Sequence, residues 1–239
     1  MLGIVRLLAL VGVLGCGRIA FDPLAGDAAA PISDTFDDHL LLHFAFETDG
    51  LLHDRATGYD ANCNTCATSG AGATSGTTAA QFDGTACLYV PAADLKPHVF
   101  TIALWEQQLA QQRSTIFGKP LHGATSYEDS FEIYTAAGSS DVSLLGADTT
   151  LSVSPQLAAW HHIAGVFDGA TLTVYLDGSP QATMSGLSET DYADDAIQIG
   201  CDTDMGSEIG RFVGSIDDVR LYGRALSPSE IAVLASRAT

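Results

Sequence analysis

Phe212-Val213-Gly214-Ser215-Ile216-Asp217-Asp218-Val219-Arg220-Leu221-Tyr222-Gly223-Arg224-Ala225-Leu226-Ser227-Pro228-Ser229-Glu230-Ile231 is the stretch that decides the fold. Phe212, Gly214 and Ile216 keep one phase of an alternating strand, and Asp217 and Asp218 then shift it before Val219 and Leu221 resume. One extra residue in a two-residue period predicts a β-bulge. Ser227, Pro228 and Glu230 fit the N-cap, N1 and N3 positions of a capping box, with Leu226 and Ile231 placed as a hydrophobic staple. A last strand running into a short capped helix is therefore expected, and nothing in the stretch reads as a catalytic motif.

Upstream, residues 40–222 read as short strands separated by turns. Asp83-Gly84, Asp168-Gly169 and Asp177-Gly178 each follow an apolar residue, a strong local signal for a hairpin turn. Thr171 to Leu176 alternates, with Leu172, Val174 and Leu176 predicted inward and Thr171, Thr173 and Tyr175 outward. Trp160 to Phe167 is apolar on both faces, as a covered central strand would be. The low-complexity run from Thr68 to Thr78 predicts a mobile loop, and Asp191–Asp195 and Asp202–Glu208 predict acidic loops. Many short antiparallel strands with one terminal helix define an all-β, two-sheet antiparallel sandwich.

The 239 residues suffice for one such sandwich, and a hydrophobic content of 46% can fill its core. Acidic residues outnumber basic ones 29 to 10, a formal net charge of −19. That field repels phosphate backbones and excludes nucleic acid as a partner. It leaves open a role for some carboxylates in holding Ca²⁺.

The N-terminus predicts export. Arg6 precedes the apolar run Leu7 to Gly15, which is too short to span a bilayer and has the proportions of a signal peptide. It ends in Val13-Leu14-Gly15-Cys16, which resembles a bacterial lipobox and implies a lipid on Cys16 after cleavage. The organisation expected is a signal peptide over 1–15, a flexible tether over 16–39 and a sandwich domain over 40–239. Export with a lipid at the N-terminus points to the cell envelope, at the outer membrane. Cys63, Cys66, Cys87 and Cys201 remain, an even number that reads as two structural disulfides with three connectivities open. Cys63 and Cys66 could close a tight loop on themselves, leaving Cys87 and Cys201 to join distant strands.

Few residues point to chemistry. Glu128-Asp129-Ser130-Phe131-Glu132 is the nearest approach to a glycosidase's paired acids, which in a retaining enzyme stand about 5–5.5 Å apart. In a regular strand Glu128 and Glu132 share a face while Asp129 points away. His161 and His162 are adjacent, so they face opposite ways, and His162 reads as a packed histidine. Tyr59, Tyr127, Tyr134 and Tyr192 lie in less regular segments and are the better candidates for ligand contact.

Four blocks taken in order carry a family resemblance. They are Phe44-Ala45-Phe46-Glu47 with Asp54; Gln81-Phe82-Asp83-Gly84, Leu88 to Pro91 and Phe100 to Trp105; Trp160 to Gly169 with Leu172 to Gly178; and the Gly214 to Ile231 string. Together they resemble a laminin G-like domain of the concanavalin A-like jelly-roll superfamily, over roughly residues 40 to 236. The resemblance implies a jelly-roll sandwich, with Trp105 and Trp160 in core positions and no reacting groups of its own. In related hydrolases an Asp opening an Asp-x-Val-Arg-x-Tyr strand coordinates a structural Ca²⁺, which carries over to Asp217 with Glu47 and the Gly84 carbonyl. The competing reading has Asp217 accept backbone amides at the bulge. Such domains serve in recognition, so the expected protein is non-catalytic and binds a glycan or an envelope or extracellular protein. A glycoside hydrolase of the same fold would show paired acids in a cleft, and a structural envelope protein would show a featureless face.

Overall fold

A computed structural model describes residues 37–236. The signal peptide, Cys16 and most of the tether read from the sequence lie outside the described residues. Asp37–His39, the tether's end, forms a turn into the first strand. No helix among the described residues is long and apolar enough to cross a membrane.

Two antiparallel sheets stack face to face. The first takes β1 (Leu40–Phe44), β2 (Thr68–Ala71), β3 (Thr78–Asp83), β5 (Phe100–Gln108), β10 (His161–Phe167), β11 (Thr171–Leu176), β12 (Ser179–Ser185) and β16 (Val213–Tyr222). The second takes β4 (Leu88–Val90), β6 (Ser114–Leu121), β7 (Glu128–Thr135), β8 (Val142–Gly146), β9 (Thr149–Val153) and β13 (Ile197–Ile199). A separate hairpin, β14 (Asp202–Asp204) and β15 (Ser207–Ile209), and the helix α1 (Pro228–Ser236) complete the domain. The first sheet runs β12-β11-β10-β5-β16-β3-β2 and the second β4-β13-β6-β7-β8-β9.

The inner faces meet in one apolar core that includes Phe44, Phe100, Phe117, Phe131, Phe167 and Phe212. A smaller cluster on the outer side of the first sheet seats α1, with Tyr175, Tyr222 and Leu226 packed against Ile231 and Leu234. Tyr175 thus points out of the main core, as its alternation predicts, yet is buried under the helix. The capping box forms: Ser227 N donates to Glu230 Oε2 at 2.7 Å and Glu230 N to Ser227 Oγ at 3.3 Å.

The bulge expected at Asp217 and Asp218 is present. Asp217 opposes Trp105 and Arg220 opposes Ala103, so an extra residue lies between them, and Asp218 has a left-handed φ of 48°. At the same point β16 changes neighbour, from β3 along Val213–Ile216 to β1 along Val219–Tyr222. Asp177 and Gly178, both with positive φ, make the primed turn between β11 and β12.

Three expectations are corrected. The run from Thr68 to Thr78 is a hairpin rather than a loop, because its small residues add β2 to the edge of β3. The Asp202–Glu208 segment is likewise a short hairpin. Trp105 and Trp160 are half-buried and belong to neither core cluster. Trp105 alternates onto the outer face of the first sheet, where its ring meets the His162 ring edge-on at 5.4 Å. His162 is buried as expected, and burial lowers its pKa to about 4. Both disulfides form, Cys63 with Cys66 and Cys87 with Cys201.

Candidate functional site

The outer face of the second sheet carries a groove of about 350 Å³, lined by Arg113, Tyr127, Glu128, Asp129, Glu132 and Tyr134. Asp148 and Asp191 add acid to its rim, and Leu121 and Leu145 supply apolar surface. Phe131 faces the core, so its neighbour Glu132 faces the groove. Asp129 joins it there because β7 is irregular. Lys119 opposes Phe131 while Pro120 opposes Asp129, which leaves Ser130 as an extra residue. The bulge reverses the phase that regular alternation predicts, so the expectation that Asp129 points away is overturned.

A third acid, Asp202, lies buried against Asp129 and Glu132 beneath the groove floor and does not itself line the groove. It follows Gly200 and Cys201, which fix its approach. Gly200 has a φ of +78°, and a Cβ there would lie 2.2 Å from the Phe82 ring. Cys201 is tied to Cys87 just before β4. The β14–β15 hairpin is held to the β6–β7 connection by Met205 N to Ser126 O and Gly206 N to Gly123 O. One carboxylate oxygen from each of Asp129, Glu132 and Asp202 lies within 4.8 Å of the other two.

These carboxylates are short of positive charge. Arg113 donates to both Glu132 oxygens, at 3.3 and 2.9 Å, and Thr115 Oγ1 donates to Oε1. The Arg113 guanidinium also stacks 4.4 Å above the Tyr134 ring. Burial still raises the Glu132 pKa, since its partners do not cancel the lost hydration. Burial, then repulsion from Glu132, Asp202 and Asp204, drives Asp129 up to about 9. Burial followed by the Glu132 and Asp204 charges takes Asp202 to about 7. Glu132 has no exposed surface, whereas Tyr127 is 73% exposed above the floor.

The residues carried over for Ca²⁺ are only partly brought together. Asp217 Oδ2 accepts Ala73 N at 2.9 Å, from the β2–β3 turn. Oδ1 is buried and has no hydrogen-bond partner among the described residues. Burial, then Asp218 and Glu47, raise the Asp217 pKa to about 7, so the Glu47 carboxylate is close enough to be felt. Gly84 is elsewhere: its N–H bonds the carbonyl of Phe212, just before β16 and five residues from Asp217, about 16 Å at strand spacing. The turn that faces Asp217 is Gly72–Thr77, which closes β2 onto β3. Of the four tyrosines, Tyr127 and Tyr134 reach the groove. Tyr59 bonds Asp94 and Tyr192 bonds the Pro97 carbonyl.

Two stacked antiparallel sheets with a polar groove on one outer face define the class: a jelly-roll β-sandwich. Residues 82–232 match the laminin G-type family described as the concanavalin A-like lectin/glucanases superfamily, and the chain belongs to it. No curated protein matches the chain in sequence. Among solved structures, domain 4 of AbnA, an extracellular arabinanase from Geobacillus stearothermophilus solved with arabinotriose, is similar with a TM-score of 0.62 and 20% identity. The match covers 82% of this chain and 98% of that one. The binding domain of botulinum neurotoxin DC, solved with rat synaptotagmin II, has a TM-score of 0.59 at 12% identity, over 85% of this chain and 52% of that one. A botulinum neurotoxin type C structure, described as interacting with two ganglioside molecules, gives 0.61 at 12%, over 85% and 52%. This chain therefore spans about half of each toxin chain, and at these identities the likeness concerns the fold.

Proposed function

We propose that this protein is an exported, lipid-anchored binding module that captures a glycan in the groove of the second sheet without hydrolysing it. The observation that carries this reading is the contrast within the groove. Its accessible surface is the exposed Tyr127 beside the Arg113–Tyr134 stack, while Glu132 is fully buried and clamped by Arg113 and Thr115. An aromatic face next to charged hydrogen-bonding groups suits a sugar ring. A glycosidase nucleophile must touch the anomeric carbon, and a carboxylate without accessible surface does not. The similar arabinanase domain, solved with arabinotriose, supports a glycan over a protein ligand.

Anchoring rests on the Val13-Leu14-Gly15-Cys16 string, with the outer membrane as destination. Calcium at the Asp217 corner is part of the same proposal, with Asp217 and Glu47 as side-chain donors and the β2–β3 turn in place of Gly84. The orphaned Asp217 Oδ1 favours it.

Paired acids favour a second reading, hydrolysis, because Asp129 is held protonated beside Glu132. One experiment separates the two: glycan-array binding, with reducing-sugar release measured on every polysaccharide that binds. Binding without release, lost at least tenfold in Tyr127→Ala and Arg113→Ala, is the expected result. Release that disappears in Asp129→Asn overturns it. Labelled-palmitate incorporation, absent from Cys16→Ser, tests the anchor.

A further inference from the structure

We infer that the Cys63–Cys66 disulfide is a reaction site for an external dithiol, and that its reduction uncaps the edge of the second sheet. The two disulfides differ in access and in loop size. Cys66 is exposed and Cys63 is half-buried against the main core, whereas Cys87 is 2% and Cys201 0% exposed. Cys63 and Cys66 stand three residues apart, against 114 for the other pair. A cross-link over so short a loop restrains the unfolded chain little, so its loss leaves the fold standing. Exposed disulfides are the ones that exchange, because a thiolate must reach one of the sulfurs.

The second observation is what the loop covers. β4 is the outermost strand of the second sheet. Asn62 N donates to Tyr89 O at 2.8 Å, Tyr89 N to Asn62 O at 2.7 Å, and Cys87 N to the Thr65 carbonyl at 3.0 Å. The edge of β4 thus ends on Asn62, just before the disulfide loop, and on Thr65 inside it. A bare strand edge presents N–H and C=O groups to any passing chain, and a covering loop blunts it. Ala61 and Ala67, on either side, are buried in the main core, and Ala61 N bonds the Leu52 carbonyl at 2.7 Å. Opening is therefore confined to the loop.

The chemistry is thiol–disulfide exchange. A thiolate of the dithiol attacks the sulfur of the exposed Cys66, the Cys63–Cys66 bond breaks, and Cys63 leaves as a thiolate that takes a proton. The dithiol's second sulfur then attacks its first within the mixed disulfide, and Cys66 leaves in turn and is protonated. Two electrons and two protons pass to the domain, and the reagent departs as a disulfide. The domain is the substrate of this exchange, and its partner is a dithiol of the C-x-x-C class. The alternative is an inert staple that only closes a turn.

The test uses the mature chain with both disulfides formed. Graded dithiothreitol, then alkylation and peptide mass spectrometry, reads each cysteine in turn. Cys63 and Cys66 should be labelled at a concentration at least tenfold below the one that labels Cys87 and Cys201. With a thioredoxin-type dithiol protein, its reductase and NADPH, one NADPH should be consumed per chain, and none by the Cys63→Ser/Cys66→Ser variant. Hydrogen exchange at the Cys87 and Tyr89 amides should quicken at least tenfold on reduction, and as much in that variant, whose melting confirms that it folds. Labelling of all four cysteines together, or no NADPH consumed, overturns the reaction site. Unchanged exchange at Cys87 and Tyr89 after reduction overturns the uncapping. No sugar or calcium enters these readings, so a failure here stands apart from a failure of glycan binding.

Discussion

Two strands of this domain are bulged beside acids, β16 at Asp217–Asp218 and β7 at Ser130, and their electrostatics are opposite. On β16, Asp218 is buried with His43 Nε2 at 2.8 Å and the Arg220 guanidinium at 2.9–3.0 Å from one oxygen. Burial alone would raise its pKa, but those partners more than offset it and hold the carboxyl below its usual range. On β7, the same geometric device brings Asp129 beside Glu132 and Asp202, and the acids rise. A compensated buried charge helps specify a fold, and an uncompensated cluster in a groove marks a place for a ligand. The Asp217 side of the β16 bulge, with its bare Oδ1, belongs with β7 in this respect.

The largest test of the contrast removes the tie that brings Asp202 to the floor. Cys87 and Cys201 are separated by 114 residues, so the paired Ala substitution should cost about 5 kcal/mol by loop entropy. The three-residue separation of Cys63 and Cys66 should cost only about 2 kcal/mol on the same scale. Urea unfolding of the two double variants measures both, and a larger loss at Cys63–Cys66 would contradict the assignment. Next, Arg220→Met strips Asp218 of its guanidinium and should cost about 3–5 kcal/mol, the penalty for a buried charge left half-paired. The groove floor should answer with the reverse sign. Asp202→Asn in chelator removes an uncompensated charge and should raise the melting temperature by a few degrees, about 1–2 kcal/mol at this chain length. If both substitutions destabilise alike, the two bulges are not electrostatic opposites.

The β16 bulge was legible because apolar residues mark the strand's phase on both sides of Asp217-Asp218, so the slip is visible. Glu128-Asp129-Ser130-Phe131-Glu132 holds a single apolar residue, and polar residues carry no phase. Regular alternation was the natural reading there, and it sent Asp129 the wrong way. Asp202 lies 70 residues beyond Glu132 and comes beside it through the pairing of β13 with β6 and the Cys87 tie. A disulfide connectivity left open kept that meeting out of view. The sandwich, the capped helix and the hairpin turns at Asp168-Gly169 and Asp177-Gly178 were readable from local pattern, whereas Asp83-Gly84, with the same signal, carries the chain from β3 to β4 in the other sheet. The groove floor depended on register, which local pattern does not fix. Gly84 was misplaced for a similar reason: its Asp-Gly signal ends β3, whereas the turn that meets Asp217 opens it.

The smallest expected effect is a slope, and it separates the two kinds of acid in one titration. Asp129, Asp202 and Asp217 have folded pKa values raised to about 9, 7 and 7, and burial takes Glu106 to about 8. A raised value means that the folded chain binds the proton more tightly than the unfolded chain. The stability these groups lend is complete below the unfolded carboxylate range and lost as pH climbs through the folded values. Asp218 and Glu230, the latter lowered to about 2 by Arg224 and Ser227, work the other way: their contribution is present at neutral pH and lost in acid. Without divalent ions, stability should therefore peak near pH 5 and fall toward pH 8, by at most about 1.4 kcal/mol per pH unit for each titrating group. Calcium bound at the Asp217 corner should flatten the part of that alkaline limb that Asp217 sets, because an ion there leaves the proton nothing to neutralise. Glu106 stands in neither cluster, so Glu106→Gln should reduce the slope equally with and without calcium. Urea midpoints at about pH 5, 6.5 and 8, in chelator and in calcium, measure all of this. A midpoint that rises with pH in chelator would mean that the groove acids are compensated after all, by partners on the scale of His43 and Arg220.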